Sequence, residues 1–164
     1  MFDPDTLKLA EAVLTACRAR NWRLATAESC TGGLVAAALI AVAGASDVIE
    51  CGIVTYSNRS KMELLGVPQE TIAGHGAISA ETAAAMARGA VTRAGVDLAV
   101  AVTGLAGPGG GTPQKPVGLV YLGIARKNGA DRAERRIFSG DRAEIRRAAV
   151  IAVLELLQAE VGAA

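Results

Sequence analysis

Apolar residues recur at helical spacing near the start of the chain and then change to short runs. Asp3 followed by Pro4 predicts a helix start, since Asp is a favoured cap and Pro fits the first helical turn. The apolar stripe of this helix comprises Leu7, Ala10, Leu14 and Cys17. Residues 23–28 form a mostly apolar run typical of a strand that ends at Ser29.

A Gly-Gly pair at 32–33 opens the second predicted helix, which ends near Val42. This helix is apolar on nearly all sides, so we expect it to be buried. A second strand is predicted over residues 50–56. After that strand, Asn58 is placed to cap a short helix that contains Lys61.

The second half of the chain contains three more predicted strands after a long helix over residues 79–94. The strand over 97–103 is apolar throughout, as expected for the centre of a sheet that is covered on both faces. Residues 117–126 and 132–138 predict the fourth and fifth strands. The Asn-Gly pair between them, at 128–129, is a strong signal for a hairpin turn.

Asp141 and Glu144 form a capping-box pattern that predicts the start of the last helix. The inner stripe of that helix comprises Ile145, Ala149, Val153 and Leu156. Helices and strands that alternate in this way predict an α/β fold. We therefore expect a single three-layer domain over residues 1–164, with a mixed, mostly parallel sheet flanked by helices.

The composition indicates how the core is packed and which classes of partner are not expected. Of the 164 residues, 51% are hydrophobic but only 3% are aromatic, and alanine and valine supply most of the excess. Such a core packs through small side chains and close approaches of the backbone. The formal net charge of +1 provides no long-range field for nucleic acid or a membrane surface, so we expect neither as a partner.

Cysteine usage and the first residues favour a cytoplasmic protein. The three cysteines, Cys17, Cys30 and Cys51, are odd in number and form no C-x-x-C pair, which is typical of reduced thiols. The acidic start lacks the basic and then apolar pattern of a signal peptide. The longest uncharged apolar run, residues 33–45, is too short to span a bilayer.

Ser29 lies where a predicted strand turns into a predicted helix. Backbone N–H groups at such a helix start are unpaired, so Thr31, Gly32 and Gly33 can hold an oxyanion or a phosphate beside a serine nucleophile. Alternatively, Ser29 or Thr31 simply caps the helix and the glycines make a tight turn. Spacing alone favours the cap, because Ser and Thr are common caps.

A serine nucleophile needs a base, and two residue types are candidates. His75, the one histidine, lies in a Gly-His-Gly loop, where a surface role is more common than catalysis. Lys61 can act as a base if burial removes its proton, although most lysines are exposed. Cys30 is a rival nucleophile, since helix N-termini favour thiolates, but free cysteines are often small core residues.

Residues 103–116 form a stretch dense in Gly and Pro that predicts a loop after the third strand. Open α/β sheets bind ligands at the carboxyl ends of strands, and glycines let backbone amides approach an anion closely. We therefore predict a ligand-binding loop, with a mobile surface lid as the alternative. The expected binding glycines are Gly104, Gly107, Gly109 and Gly110. Pro108 and the absence of Gly-Lys-Ser/Thr exclude the dinucleotide and nucleoside-triphosphate motifs.

Arginines at the start of the last helix can clamp a phosphate. Arg142 is the leading candidate, and Arg146 fits the same pattern. Arg147 is more typical of a solvated face. A single histidine, no cysteine cluster and no paired carboxylates make a metal site hard to assemble, so we expect neither a metal nor another cofactor.

Four segments carry a specific set of motifs. They are AESCTGGLV (27–35), GIVTYSNRSK (52–61), GAISAETAAAMA (76–87) and VTGLAGPGGGTPQKPVG (102–118). In this order they closely resemble the C-terminal domain of the CinA (competence/damage-inducible) family, and the resemblance extends over essentially the whole chain. It implies a stand-alone form of this domain, without the N-terminal domain of longer members.

The resemblance implies a nicotinamide-nucleotide amidase, which converts nicotinamide mononucleotide (NMN) and water to nicotinic acid mononucleotide and ammonia without a cofactor. It implies that Ser29 is the nucleophile and Lys61 its general base. It also implies that Tyr56 and Thr103 are polar residues of the same pocket, and that the Gly-rich loop and Arg142 surround the substrate. A homo-oligomer is expected as well. The alternative is a non-catalytic module that binds a nucleotide or a partner in competence or DNA damage.

Overall fold

Five strands form one mixed sheet in the computed structural model, which describes residues 2–163. The strands are β1 (Leu24–Glu28), β2 (Ile49–Val54), β3 (Leu98–Gly104), β4 (Leu119–Arg126) and β5 (Asp131–Ile137). Their order across the sheet is β2-β1-β3-β4-β5. β1 pairs in parallel with β2 and β3, whereas β4 is antiparallel to both β3 and β5. Four of the five strands therefore run in the same direction, which confirms the mixed, mostly parallel sheet.

Six α-helices flank the sheet in the described part of the chain. They are α1 (Pro4–Ala19), α2 (Leu34–Ile40), α3 (Asn58–Leu65), α4 (Gln69–His75), α5 (Ala80–Ala94) and α6 (Arg142–Gly162). The side chain of Asp3 caps α1, and Asp141 and Glu144 form the predicted capping box of α6. Among residues 2–163, no helix combines the length and the apolar character that crossing a bilayer requires.

The helices form one layer on each face of the sheet, so the domain has three layers. Alternate side chains of the central strand β3 point to opposite faces. Leu98 and Val100 enter a core with α1, α2 and α6, whereas Ala99 and Ala101 face the core that contains α5. The inner stripe of α6 is buried in the first core, as predicted. Both faces of β3 are therefore covered.

The sheet face that meets α5 is built from small residues, which lets the helix lie close to the strands. Gly123 of β4 packs directly against α5: a Cβ added there would lie 2.1 Å from the carbonyl oxygen of Ala83. No side chain larger than hydrogen fits at this contact. The alanine-rich composition thus has the expected consequence, a core of close backbone approaches.

Three details near the second and third helices differ from the sequence-based predictions. α2 ends at Ile40 instead of Val42, and it is only partly buried, since the side chain of Ile40 is 61% exposed. It packs on β1 and on the edge strand β2, with Val35, Ala38 and Leu39 in the core, so only one of its sides faces the core. Ser57 caps α3 and Asn58 does not, because the Ser57 hydroxyl accepts the N–H of Ser60 at 3.0 Å.

α4 was not predicted from the sequence. His75, expected in a loop, is the last residue of this helix. None of the residues of α4 is fully buried, so the helix has no apolar stripe of the kind that predicts helices. The ends of two strands also differ from the prediction. β2 ends at Val54, before Tyr56, and β3 continues through Gly104, which was expected to begin the loop.

Candidate active site

The carboxyl ends of β1, β2 and β3 meet at one edge of the sheet. Glu28 at the end of β1 pairs with Val54 of β2 on one side and with Val102 of β3 on the other. The chain leaves β1 through α2 on one face, and it passes from β2 to β3 through α3, α4 and α5 on the other face. Crossovers on opposite faces leave a crevice at this edge, which is where open α/β sheets bind ligands.

Ser29 and Lys61 lie together in a cavity of about 270 Å³ at this crevice. Ser29 directly follows β1, and Lys61 lies in α3, shortly after β2. Parallel pairing of these two strands brings together side chains that are 32 positions apart, so that Nζ of Lys61 lies 3.1 Å from Oγ of Ser29. The same Nζ lies 2.8 Å from the carbonyl oxygen of Thr55. The two residues that the family resemblance pairs as nucleophile and base are therefore neighbours.

Lys61 is buried, with only 1% of its surface exposed, so the alternative of a surface lysine is wrong. Burial lowers the pKa of its ammonium group below the usual value, because the charged form loses the water that solvates it. A neutral amine at this position can donate to Thr55 and turn its lone pair to the hydroxyl of Ser29. Such an arrangement can take a proton from the serine.

A buried carboxylate, Glu28, takes the capping role that spacing favoured for Ser29 or Thr31. The two oxygens of Glu28 accept the N–H groups at the start of α2, from Gly33, Val35 and Ala36, at 2.9–3.0 Å. A carboxylate is stabilised there by the partial positive charge of the helix N-terminus. The prediction of a Ser29 or Thr31 cap is wrong, and the hydroxyl of Ser29 is left to face Lys61. An acid at the end of an apolar strand, followed after a short turn by a helix, was the signal for Glu28.

Thr31, Gly32 and Gly33 do not line the cavity. The N–H of Gly32 donates within the turn at 3.1 Å, and the N–H of Gly33 donates to Glu28. The side chain of Thr31 is fully buried, and its hydroxyl has no hydrogen-bond partner within residues 2–163. The structure therefore does not bring these three predicted substrate-binding residues to the place where a substrate would meet Ser29.

The Gly-rich loop and the first turn of α6 form the outer wall of the cavity. The glycines that line it are Gly104, Gly107 and Gly109, whereas Gly110 does not. Arg142 also lines it and donates to the carbonyl oxygen of Gly107 at 2.8 Å and to the hydroxyl of Tyr56 at 3.4 Å. Within the described residues Arg142 forms no ion pair, so its charge is available to an anion.

Thr103 and Tyr56 line the same cavity but differ in exposure. Thr103 is buried, and its hydroxyl donates to the carbonyl oxygen of Ala77 at 2.8 Å. This bond fixes the hydroxyl and leaves its lone pairs free to accept a hydrogen. Tyr56 is 69% exposed, so its ring can adapt to a bound ligand.

Cys30 lines the cavity beside Ser29, but its thiol is a poor nucleophile. Burial, reinforced by the nearby Glu28 carboxylate, raises the pKa of this thiol to about 11, so little thiolate forms at neutral pH.

We therefore expect Cys30→Ala to keep most of the hydrolytic activity, and a thiol-alkylating reagent to inactivate the protein poorly. Cys51→Ala, at a half-buried cysteine outside this cavity, is the control. An inactive Cys30→Ala beside an active Ser29→Ala would identify a thiol enzyme.

His75, Arg146 and Arg147 lie outside this cavity. Nδ1 of His75 is 3.4 Å from Oε1 of Glu81 at the surface, which agrees with the expected surface role. Arg146 and Arg147 line a separate cavity of about 700 Å³ that contains neither Ser29 nor Lys61. In residues 2–163, no group of three or more His, Cys, Asp or Glu side chains is arranged to hold a metal ion.

Together, the fold and the site define an α/β domain with a buried serine–lysine contact at the carboxyl edge of its sheet. The sequence model of the CinA C-terminal domain matches residues 6–161. The chain therefore belongs to the CinA C-terminal domain family, as the four motifs predicted.

Relatives in this family match over nearly the whole chain. A CinA-like protein of Akkermansia muciniphila is 48% identical over 144 residues, which cover 88% of this chain and 35% of the relative. The chain spans between 33% and 39% of the length of the first curated relatives that it matches.

A solved structure of a competence/damage inducible protein from Agrobacterium tumefaciens is 46% identical, with a TM-score of 0.93 and coverage of 97% of both chains. A CinA superfamily protein from Klebsiella pneumoniae is 38% identical, with a TM-score of 0.92 and coverage of 97% and 99%. Both structures confirm the fold.

Proposed function

We propose that the domain is an amidohydrolase that deamidates NMN to nicotinic acid mononucleotide and ammonia. The observation that carries this proposal is the 3.1 Å contact between Oγ of Ser29 and the buried Nζ of Lys61. Burying an amine costs free energy, and a protein that only binds a nucleotide or a partner needs no such group. A buried amine with a lowered pKa beside a hydroxyl in a crevice is typical of a catalytic site.

The proposed reaction proceeds through an ester on the serine. Neutral Lys61 takes the hydroxyl proton of Ser29 while Oγ forms a bond to the carboxamide carbon, whose π electrons move to the carbonyl oxygen. Lys61 then gives the proton to the leaving nitrogen, the C–N bond breaks, and ammonia departs. Lys61 then takes a proton from water as the water oxygen bonds to the ester carbon. It gives this proton to Oγ of Ser29 as the bond between Oγ and that carbon breaks, which releases the carboxylic acid and restores both side chains.

The tetrahedral intermediate carries a negative charge that needs hydrogen-bond donors. The amides at the start of α2 are committed to Glu28, so we assign this role to the backbone N–H of Cys30, which directly follows the nucleophile in the cavity. Because Thr103 donates its hydrogen to Ala77, its lone pairs can accept an N–H of the carboxamide and orient that group.

The substrate is proposed to be the nucleotide and not free nicotinamide, because Arg142 and the loop glycines offer a charge and backbone amides to a phosphate. A charge-assisted hydrogen bond contributes about 1.5–3 kcal/mol, so kcat/KM for nicotinamide should be lower than for NMN by a factor of about ten or more. Steady-state kinetics on both compounds measures this ratio. Arg142→Ala should lower kcat/KM for NMN but leave that for nicotinamide nearly unchanged.

Arg147→Ala is the matched control, since it removes the same charge from α6 at a residue outside the cavity. Similar kcat/KM values for NMN and nicotinamide in the wild-type protein would contradict a nucleotide substrate. Binding of NMN with no turnover at all would instead favour a non-catalytic module.

The proposed reaction requires neither a metal nor another cofactor. We also propose that the protein acts in the cytoplasm as a homo-oligomer, without nucleic acid or membrane partners. Cys17, Cys30 and Cys51 are free thiols, as expected for a reducing compartment. The apolar side chains of Ile40 and Val54 are exposed near the open edge of β2, where they offer a surface for self-association.

A further inference from the structure

Arg146 lies outside the catalytic cavity, but it binds the turn that carries Ser29. A backbone hydrogen bond of 3.1 Å closes this turn over residues 29–32. The next two carbonyl groups both accept hydrogen bonds from the Arg146 guanidinium: Nε lies 3.1 Å from the oxygen of Cys30, and Nη2 lies 2.9 Å from the oxygen of Thr31. One side chain thus holds the two residues that directly follow the nucleophile.

The guanidinium is itself held by the fold. Ile145, next to it on α6, and Ala149, one turn further on, are buried in the core, so the helix cannot shift easily. Gly32 has a φ of +61°, which favours glycine, and a Cβ there would lie 3.3 Å from Nη2 of Arg146. A Cβ at this position would be tight against the guanidinium, which would have to shift by a few tenths of an ångström.

Two opposite charges therefore anchor the turn from two sides. The carboxylate of Glu28 binds the N–H groups on the α2 side, and the guanidinium of Arg146 binds the C=O groups on the α6 side. Charge-assisted hydrogen bonds of this kind are stronger than neutral ones and hold a defined geometry. The position of the Ser29 hydroxyl follows from the turn that these two residues hold.

We propose that Arg146 is a positioning residue, which holds the 29–32 turn so that Oγ of Ser29 stays within reach of Nζ of Lys61. This inference rests on the proposed function. A displacement of about 1 Å at the reacting atoms can lower a rate by about a hundredfold. Arg146 lines no part of the catalytic cavity, so its loss leaves Arg142 and the loop glycines in place to bind the substrate.

Arg146→Ala is therefore expected to lower kcat for NMN by about tenfold to a hundredfold, with KM changed by less than about threefold. Arg147→Ala is the matched control, because it removes the same charge from the next residue of α6. Like Arg146, Arg147 lines the separate cavity of about 700 Å³, but it donates no hydrogen bond to either carbonyl. Its variant should therefore keep the wild-type kcat. Arg146→Lys should recover only part of kcat. The ammonium group keeps the positive charge, but it cannot reproduce the planar fork that binds both oxygens.

A second readout does not depend on NMN. A fluorophosphonate probe reacts with an activated serine hydroxyl, and its rate of labelling at Ser29 should fall in Arg146→Ala and not in Arg147→Ala. Equal kcat values and labelling rates in the two alanine variants would overturn the proposal. So would a lower melting temperature of Arg146→Ala with unchanged labelling per folded molecule, because that result describes a structural role only. If the wild-type protein labels at Ser29 but does not hydrolyse NMN, the proposed substrate is wrong, and the labelling comparison still decides the role of Arg146.

Discussion

Ser29→Ala is expected to lower kcat for NMN hydrolysis by on the order of a thousandfold or more, as in other enzymes that lose their nucleophile. The substitution removes only Oγ. Lys61 keeps its 2.8 Å contact with the carbonyl oxygen of Thr55, and Glu28 still caps α2. The variant should therefore fold with a melting temperature close to that of the wild-type protein. Kinetics and thermal denaturation on the same preparation measure both quantities.

Ser46→Ala is a suitable control, since Ser46 is exposed and lies outside the cavity. It should match the wild-type protein in both measurements. A Ser29→Ala variant whose kcat stays within about tenfold of the wild-type value would show that the serine hydroxyl does not form the bond to the substrate.

Lys61→Arg should be about as inactive as Lys61→Met, with a loss of on the order of a thousandfold, although arginine keeps the positive charge. The reason is that a base must lose its proton, and a guanidinium stays protonated at any working pH. Lys127→Arg, at an exposed lysine of the hairpin turn, is the matched control and should be fully active. An active Lys61→Arg would exclude the lysine as the base.

The pH dependence of kcat/KM tests the same role in the unmodified protein. Only the neutral amine can accept the proton of Ser29, so activity should rise with pH as Lys61 loses its proton. Burial lowers the pKa of this group, which places the midpoint of the rise below the ordinary value of 10.5. A profile that shows no rise between acidic pH and pH 10.5, or one that falls as the pH increases through this range, would contradict an amine base.

Much of the fold was predictable because its signals are local. The cap at Asp3, the capping box at Asp141 and the apolar run of β3 each depend on a few neighbouring residues, and all three are present. α4 was missed because its residues, Gln69–His75, bury none of their side chains fully and therefore show no periodicity. The exposure of Ile40 in α2 was missed because an apolar sequence does not reveal which side of a helix faces the solvent.

Ser29 and Lys61 could be proposed as nucleophile and base from the sequence only through the family resemblance. Ser29 and Lys61 are 32 positions apart, and their contact depends on the parallel pairing of β1 with β2, which no local pattern specifies. Spacing alone favoured a cap for Ser29 and exposure for Lys61. The structure reverses both, because Glu28 occupies the helix N-terminus and the lysine lies under the end of β2.

Arg142 and Arg146 show a second limit of sequence patterns. They lie one helical turn apart with the same side chain, and either suits a phosphate contact. In the structure Arg142 reaches Gly107 and Tyr56 at the cavity, whereas Arg146 reaches the two carbonyl groups that follow Ser29 in the chain. Arg142 and Arg146 lie on one face of α6 about 6 Å apart along its axis. The packing of the helix against the turn and the loop therefore decides which group each side chain reaches.

The most direct test of the proposed activity identifies the products that form when the purified protein is incubated with NMN. Mass spectrometry of the nucleotide and an ammonia assay, run on the wild-type protein beside Ser29→Ala, are sufficient. We predict equal amounts of nicotinic acid mononucleotide and ammonia from the wild-type protein, and neither from the variant. Unchanged NMN, or free nicotinamide released by cleavage of the glycosidic bond, would contradict an amidohydrolase that uses Ser29 and Lys61.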